Sequence, residues 1–187
     1  MKPWMTLLLL SGAVSGASLP QFSLADTGGV KHTDSELRKA PAVVLYFLTT
    51  DCPISNGYVP EMNRIAQDYE ARGVRFYGVI ADTDTPIDDV RKHVREFAYT
   101  FPILIDPNQV LVTFTDATTT PEAALIAPGG SLKYLGRIDN QYESFGKRRP
   151  QATQHDLRDA LDAVLTGRIV AKASTPALGC SINRLNP

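Results

Sequence analysis

The stretch Ala42-Val-Val-Leu-Tyr-Phe-Leu48 is apolar throughout and shows no alternation. A strand with one wet face alternates apolar and polar positions, so this run predicts a central strand buried on both faces. Cys52-Pro53 breaks the run and opens a helix, since proline is tolerated at the first helical position, where its missing N–H costs nothing. Val59, Met62, Ile65, Ala66 and Tyr69 then recur at helical spacing until Arg72-Gly73 ends the helix. Val74–Ile80 reads as a second buried strand. Thr85-Pro86 starts a second helix, with Ile87, Val90, Val94 and Phe97 on one face. Phe101–Ile105 is a short strand closed by Asp106-Pro107, and Val110–Phe114 a further turn of helix. Ala123–Ile126 and Leu132–Leu135 flank Pro128-Gly129-Gly130, a hairpin signal. Thr153 caps a last helix carrying Leu157, Leu161, Val164 and Leu165, with Gly167 just beyond it. Toward the other end, Phe22–Gly29 predicts a short strand and turn, and Asp34–Arg38 one helical turn. Past Ile169 the periodicity stops, and residues 171–187 read as a tail.

The first residues have a different character. Lys2, the apolar run Trp4–Leu10, and small residues at Ser15 and Ala17 predict an export signal cleaved after Ala17. The run is too short for a comfortable membrane span, so no stable span is expected in the mature form. This divides the chain into residues 1–17 as signal, 18–170 as one domain and 171–187 as a tail. A chain of 187 residues with 43% hydrophobic content can bury an ordinary core without disulfides. Removing residues 1–17 takes only Lys2 from the 19 basic and 20 acidic residues, moving the net charge from -1 to about -2. With Lys and Arg scattered rather than clustered, nucleic acid is not an expected partner. Two cysteines remain, Cys52 and Cys180, and in an oxidising compartment they invite a redox pair, a structural bridge or a metal pair.

The order strand, helix, strand, helix, hairpin, helix predicts an α/β domain. Its central mixed sheet would have helices on both faces and be closed by a C-terminal β-hairpin and helix. Gly73-Val-Arg-Phe-Tyr-Gly-Val, Phe101-Pro-Ile-Leu-Ile-Asp-Pro and Leu19-Pro-Gln-Phe-Ser-Leu-Ala-Asp resemble the alkyl hydroperoxide reductase/thiol-specific antioxidant (redoxin) family. The resemblance covers roughly residues 19–167. Within the family the chain is most similar to exported proteins carrying a Cys-Pro-Ile-Ser-Asn segment. It implies a thioredoxin-like fold and a thiol chemistry centred on Cys52, at the junction of strand and helix. There the helix's unpaired N–H groups and positive dipole end favour a thiolate.

The same resemblance implies that Pro121 is cis and faces the sulfur, and that the backbone at Thr120 pairs with a bound peptide. Ser55 stands where a dithiol enzyme would carry its second cysteine. The chain would then work as a monothiol, recruit Cys180 as resolving thiol, or rely on a partner's thiol. Thr49, three residues before Cys52, matches the threonine of peroxiredoxins, although their proline is absent at Leu45. Thr49 and Ser55 are expected to hydrogen-bond the sulfur. Asp51 disfavours a neighbouring thiolate. A hairpin turning near Gly129 places Pro121 opposite Arg137, which predicts that Arg137 supplies positive charge near Cys52 and offsets Asp51.

The function expected is an extracytoplasmic, periplasmic thiol-disulfide oxidoreductase with antioxidant character, acting on protein thiols or disulfides or on a small thiol or peroxide. Thiol peroxidase, non-catalytic peptide-binding and Cu(I)-carrying alternatives stay open, the last because soft thiolates suit Cu(I). No organic cofactor or clustered metal site is expected, for there is no glycine-rich phosphate loop and no metal-ligand spacing. His32, His93 and His155 read as surface residues, and Tyr142, Glu143, Arg148 and Arg149 as a solvated connection.

Overall fold

The computed structural model describes residues 18–185. The predicted signal therefore lies outside the described residues. In chain order the elements are β1 (Ser23–Ala25), β2 (Lys31–Thr33), α1 (Asp34–Leu37), β3 (Val43–Leu48), α2 (Pro53–Glu70), β4 (Arg75–Ile80), α3 (Ile87–Glu96) and β5 (Ile103–Ile105). They continue with α4 (Val110–Thr115), β6 (Thr119–Thr120), β7 (Glu122–Ala127), β8 (Ser131–Gly136), β9 (Tyr142–Ser144), β10 (Lys147–Arg148), α5 (Asp156–Leu165) and β11 (Cys180–Ser181).

A five-stranded sheet runs in the order β5-β4-β3-β7-β8. β3, β4 and β5 are parallel, while β7 is antiparallel to both β3 and β8. The unbroken apolar run of β3 is explained by its central place. Val44, Tyr46 and Leu48 point to one core, shared with Ile54, Tyr58, Met62 and Ile65 of α2 and Leu157 and Leu161 of α5. Val43, Leu45 and Phe47 point to the other core, under Leu37 of α1 and Leu111 and Val112 of α4. Burial on both faces removes the alternation that a half-wet strand would show.

Two local expectations differ from the structure. His155, not Thr153, stands at the N-cap of α5, because the Thr153 hydroxyl instead accepts the Asn140 side-chain N–H at 2.8 Å. The hairpin also carries a bulge between Leu125 and Ile126. Beyond it each residue of β7 faces one position later in β8 than the turn predicts, so that Ala123 pairs with Gly136. A slip of one residue sends side chains to the opposite face of a sheet.

The segment after α5 runs back along the sheet. The Leu135 amide donates to Ala173 O at 3.0 Å and the Thr175 amide to Leu135 O at 3.3 Å, extending β8 sideways. Further on, β11 pairs antiparallel with β6, Cys180 against Thr120 and Ser181 against Thr119. The Gln109 side chain pins the far end, donating to Asn183 O at 2.7 Å and accepting from the Leu185 amide at 2.9 Å. No helix among the described residues is long and apolar enough to cross a membrane.

Candidate functional site

β3 ends at Leu48 and α2 begins at Pro53, so the connecting residues 49–52 are delivered to the edge of the sheet. Cys52 is the N-cap of α2, in extended conformation. Its carbonyl accepts the first helical hydrogen bond from Asn56 N at 2.9 Å. The first amides of a helix have no intrahelical partner, and Pro53 has none to leave, so the sulfur sits at an electropositive helix end. The side chain is fully buried. Its thiol donates to Thr120 O at 3.2 Å, and the Thr120–Pro121 peptide bond is cis.

Cys180 completes this centre. Its pairing with Thr120 sets it against the carbonyl that receives the Cys52 thiol, and the Thr120 hydroxyl donates to Cys180 O at 3.3 Å. Both cysteines are free thiols. Burial first, then the Cys52 sulfur beside it and the Asp51 charge, push the Cys180 thiol up to about 11. A thiol held that high keeps its proton at neutral pH, so Cys180 is a poor nucleophile in this resting state.

The other expected residues are placed differently. The Thr49 hydroxyl donates to Asp51 at 2.7 Å instead of to the sulfur. The Ser55 hydroxyl is buried in the first turn of α2 and has no hydrogen-bond partner among the described residues. Arg137 donates to Asp156 at 2.7 Å and to Gln154, and so is paired with Asp156 and not with Asp51. The register slip at the bulge turns Arg137 toward the start of α5, so its charge is taken up by a buried carboxylate. Replacing Arg137 by alanine is expected to lower stability by about 2 kcal/mol, less than for a deeply buried pair because the guanidinium is partly exposed. Lys172, 3.7 Å from Asp156, compensates in part. Urea unfolding reads that loss, and the same variant should alkylate at Cys52 at the parental rate. A changed alkylation rate would restore the role expected from the sequence.

Several contributors had no local signal. Tyr58 donates to Asp139 Oδ1 at 2.7 Å, and Tyr142 packs its ring 4.8 Å from that of Tyr58. Tyr142 fits there because position 57 is glycine: a Cβ on Gly57 would lie 2.0 Å from the Tyr142 hydroxyl. Tyr142 is thus part of the site wall and not solvated surface. With Pro121, Asp139 and Leu178 these tyrosines enclose a cleft of about 240 Å³ next to the cis bond. On the opposite side, the buried Glu122 carboxylate accepts the Thr118 amide at 2.8 Å and the Thr119 amide at 3.3 Å. Burial pushes its pKa above the usual carboxylate value, and those two N–H groups pull it back in part. Glu122 thereby stiffens β6 from behind.

Two of the three histidines are buried, contrary to their surface appearance in the sequence. His32 bonds Asp26 at 3.0 Å and His93 bonds Asn56 at 2.9 Å. Asn56 in turn donates to Thr50 O at 3.0 Å, so His93 braces the loop that presents Cys52. Burial holds the His93 imidazole below its ordinary value, against a smaller upward pull from Glu96. Among the described residues, no three of His, Cys, Asp and Glu converge as a metal site.

A central mixed sheet, a cysteine at a helix start and a facing cis-proline together define the thioredoxin-like class, and the comparisons agree. A protein of Neisseria meningitidis described as a thioredoxin superposes with a TM-score of 0.63 at 19% identity, covering 81% of this chain and 91% of that one. The AhpC/TSA family model matches residues 15–135. The chain belongs to the AhpC/TSA family. It is similar to the thiol-disulfide oxidoreductase ResA of Geobacillus kaustophilus, 30% identical over 120 residues, which is 64% of this chain and 67% of that protein. A hypothetical protein of Sinorhizobium meliloti 1021 matches at TM-score 0.79 and 28% identity, over 92% of this chain and 95% of that one.

Proposed function

We propose that the protein is a thiol-disulfide oxidoreductase of the thioredoxin-like type, with Cys52 as attacking thiol and Cys180 as resolving thiol. The observation that carries this reading is the seating of Cys180 on β6, directly before cis-Pro121 and against Cys52. The similarity to ResA proteins supports the same chemistry. The Cys52 thiolate attacks one sulfur of a substrate disulfide, forming a mixed disulfide and releasing the other sulfur as a thiolate. The Cys180 thiolate then attacks the Cys52 sulfur, a Cys52–Cys180 disulfide forms, and the second substrate thiolate leaves. Two electrons pass from the protein to the substrate, and an external dithiol restores the starting state. Run backwards, the same steps oxidise a substrate dithiol.

The high setting of the Cys180 thiol fits this order. Part of the upward push comes from Cys52 itself, and it is relieved once Cys52 is engaged in a mixed disulfide. Thr120 and Pro121 would align the substrate while the tail is off the edge of β6, and the tail returns to that edge to bring Cys180 to the mixed disulfide. We place the reaction outside the cytoplasm, in keeping with the signal-like pattern of residues 1–17. The test is to oxidise the purified protein with a small disulfide, digest it without reduction, and map the peptides. A Cys52–Cys180 linked peptide that disappears on reduction is the expected result. Two thiols that never pair would remove Cys180 from the mechanism.

A further inference from the structure

Among the described residues β6 pairs with β11 alone, so its edge can take one extended segment, and the protein's own tail lies on it. Cys180 and Ser181 pair antiparallel with Thr120 and Thr119, and the Ile182 amide donates to Thr118 O at 2.9 Å. Main-chain pairing of this kind accepts many sequences, and selectivity comes from what the side chains meet. Those surroundings are specific. Leu178 packs against the core cluster that contains Cys52 and lines the cleft beside Tyr58 and Tyr142. Ile182 packs against the second cluster. At Gly179 there is no room: a Cβ would lie 2.0 Å from Thr120 O and 3.1 Å from the Pro121 ring. The first obstacle is backbone, and Glu122 holds that backbone from behind through the Thr118 and Thr119 amides. The strand therefore cannot easily yield to a side chain.

We propose that the Thr118–Thr120 edge is a recognition site for extended segments in which glycine immediately precedes cysteine, with an apolar residue before the glycine. The tail sequence Leu178-Gly179-Cys180-Ser181-Ile182 is its resident occupant. The inference rests on the proposed function only for what a bound cysteine undergoes; the binding itself involves no sulfur chemistry. A substrate segment and the tail compete for one edge. The tail has the advantage of tethering, which sets its effective concentration in the millimolar range, roughly. Anchoring by Gln109 and by Arg184, whose guanidinium is 2.8 Å from Asp116, adds to that advantage.

The probe is a blocked peptide Leu-Gly-Ser-Ser-Ile, with serine for cysteine so that no disulfide can form, and its counterpart with valine for glycine. In the Gly179→Val protein, whose own tail cannot seat, the glycine peptide should bind about tenfold more tightly or better than to the parent. The valine peptide should bind about tenfold more weakly than the glycine peptide or not at all. Equal binding of the two peptides, or no gain in the variant, overturns the proposal. The unaltered protein provides a second reading should the variant not fold. A saturating glycine peptide should displace the tail and speed alkylation of Cys180, and the valine peptide should not. Unchanged Cys180 alkylation under saturating glycine peptide overturns the proposal as well. A protein that binds the glycine peptide selectively yet never exchanges disulfides would refute the redox function and leave this site standing.

Discussion

Replacing Cys52 by serine is expected to reduce disulfide exchange roughly a thousandfold or more, because a hydroxyl is not ionised near neutral pH and cannot act as the attacking group. The Cys180→Ser protein should behave differently. Cys52 still attacks, one equivalent of substrate thiol is released in a burst, and a mixed disulfide accumulates. Steady turnover then depends on an external thiol and should fall roughly a hundredfold, since an intramolecular attack is replaced by a bimolecular one. Mass spectrometry of the non-reduced protein identifies the trapped species. The pH dependence follows from the Cys180 thiol, which is pushed up to about 11 in the resting pair. Below that value its thiolate fraction rises about tenfold per pH unit, so alkylation at Cys180 should climb steadily through the neutral range. In the Cys52→Ser protein two of the causes of that elevation are gone, and Cys180 should alkylate faster at the same pH. If instead the Cys180→Ser protein lost the burst and Cys52→Ser kept it, the roles of the two sulfurs would be exchanged.

Oxidation should also stabilise the fold. A Cys52–Cys180 bridge closes most of the chain into one loop, and the chain-entropy argument assigns such a long loop about 5 kcal/mol, with measured bridges more often giving about 2–4. The native geometry has the tail already docked on β6, so little rearrangement is required to form the bond. For a domain of this size each kcal/mol moves the melting temperature by about 2–4 °C. Calorimetry of the oxidised and reduced forms should therefore show a rise on the order of 10 °C. The Cys180→Ser protein should show no such difference. Equal melting temperatures in the parent would mean that the bridge does not form or that strain cancels the gain. A stabilised oxidised form would also lock the tail over the edge of β6 and close that edge to other segments.

The sheet was legible because its signals are local. Each of β3, β4 and the helices α2, α3 and α5 carries its own period or its own punctuation, and neighbouring residues suffice to reveal it. Cys52 was legible for the same reason: a thiol between a buried strand and a helix-starting proline has only one place to be. The cis bond before Pro121 followed from family resemblance, not from local pattern. Thr49, Ser55 and Arg137 were identified as residues but not in their contacts. Thr49 turned to the adjacent Asp51, and the Ser55 hydroxyl found no partner in its buried turn. The bulge at Leu125 and Ile126 moved Arg137 by one register position and gave it to Asp156.

The apolar patch Pro176–Ile182 pointed to a tail that docks on the domain, but the pairings that fix where it docks lay beyond local reading. Its hydrogen bonds join residues far apart in sequence, Gln109 with Asn183 and Thr120 with Cys180, and none of these partners has a periodicity to announce it. The order of strands and helices, the two-sided core and the place of Cys52 at the start of α2 are properties of short segments, and short segments encode them. Which hydroxyl meets which acid, which way Arg137 points and what lies over the sulfur depend on a one-residue bulge and on pairings between distant segments. Those were settled only when the chain closed on itself, because burial and hydrogen-bond satisfaction are decided by the whole packed structure and not by any stretch of it.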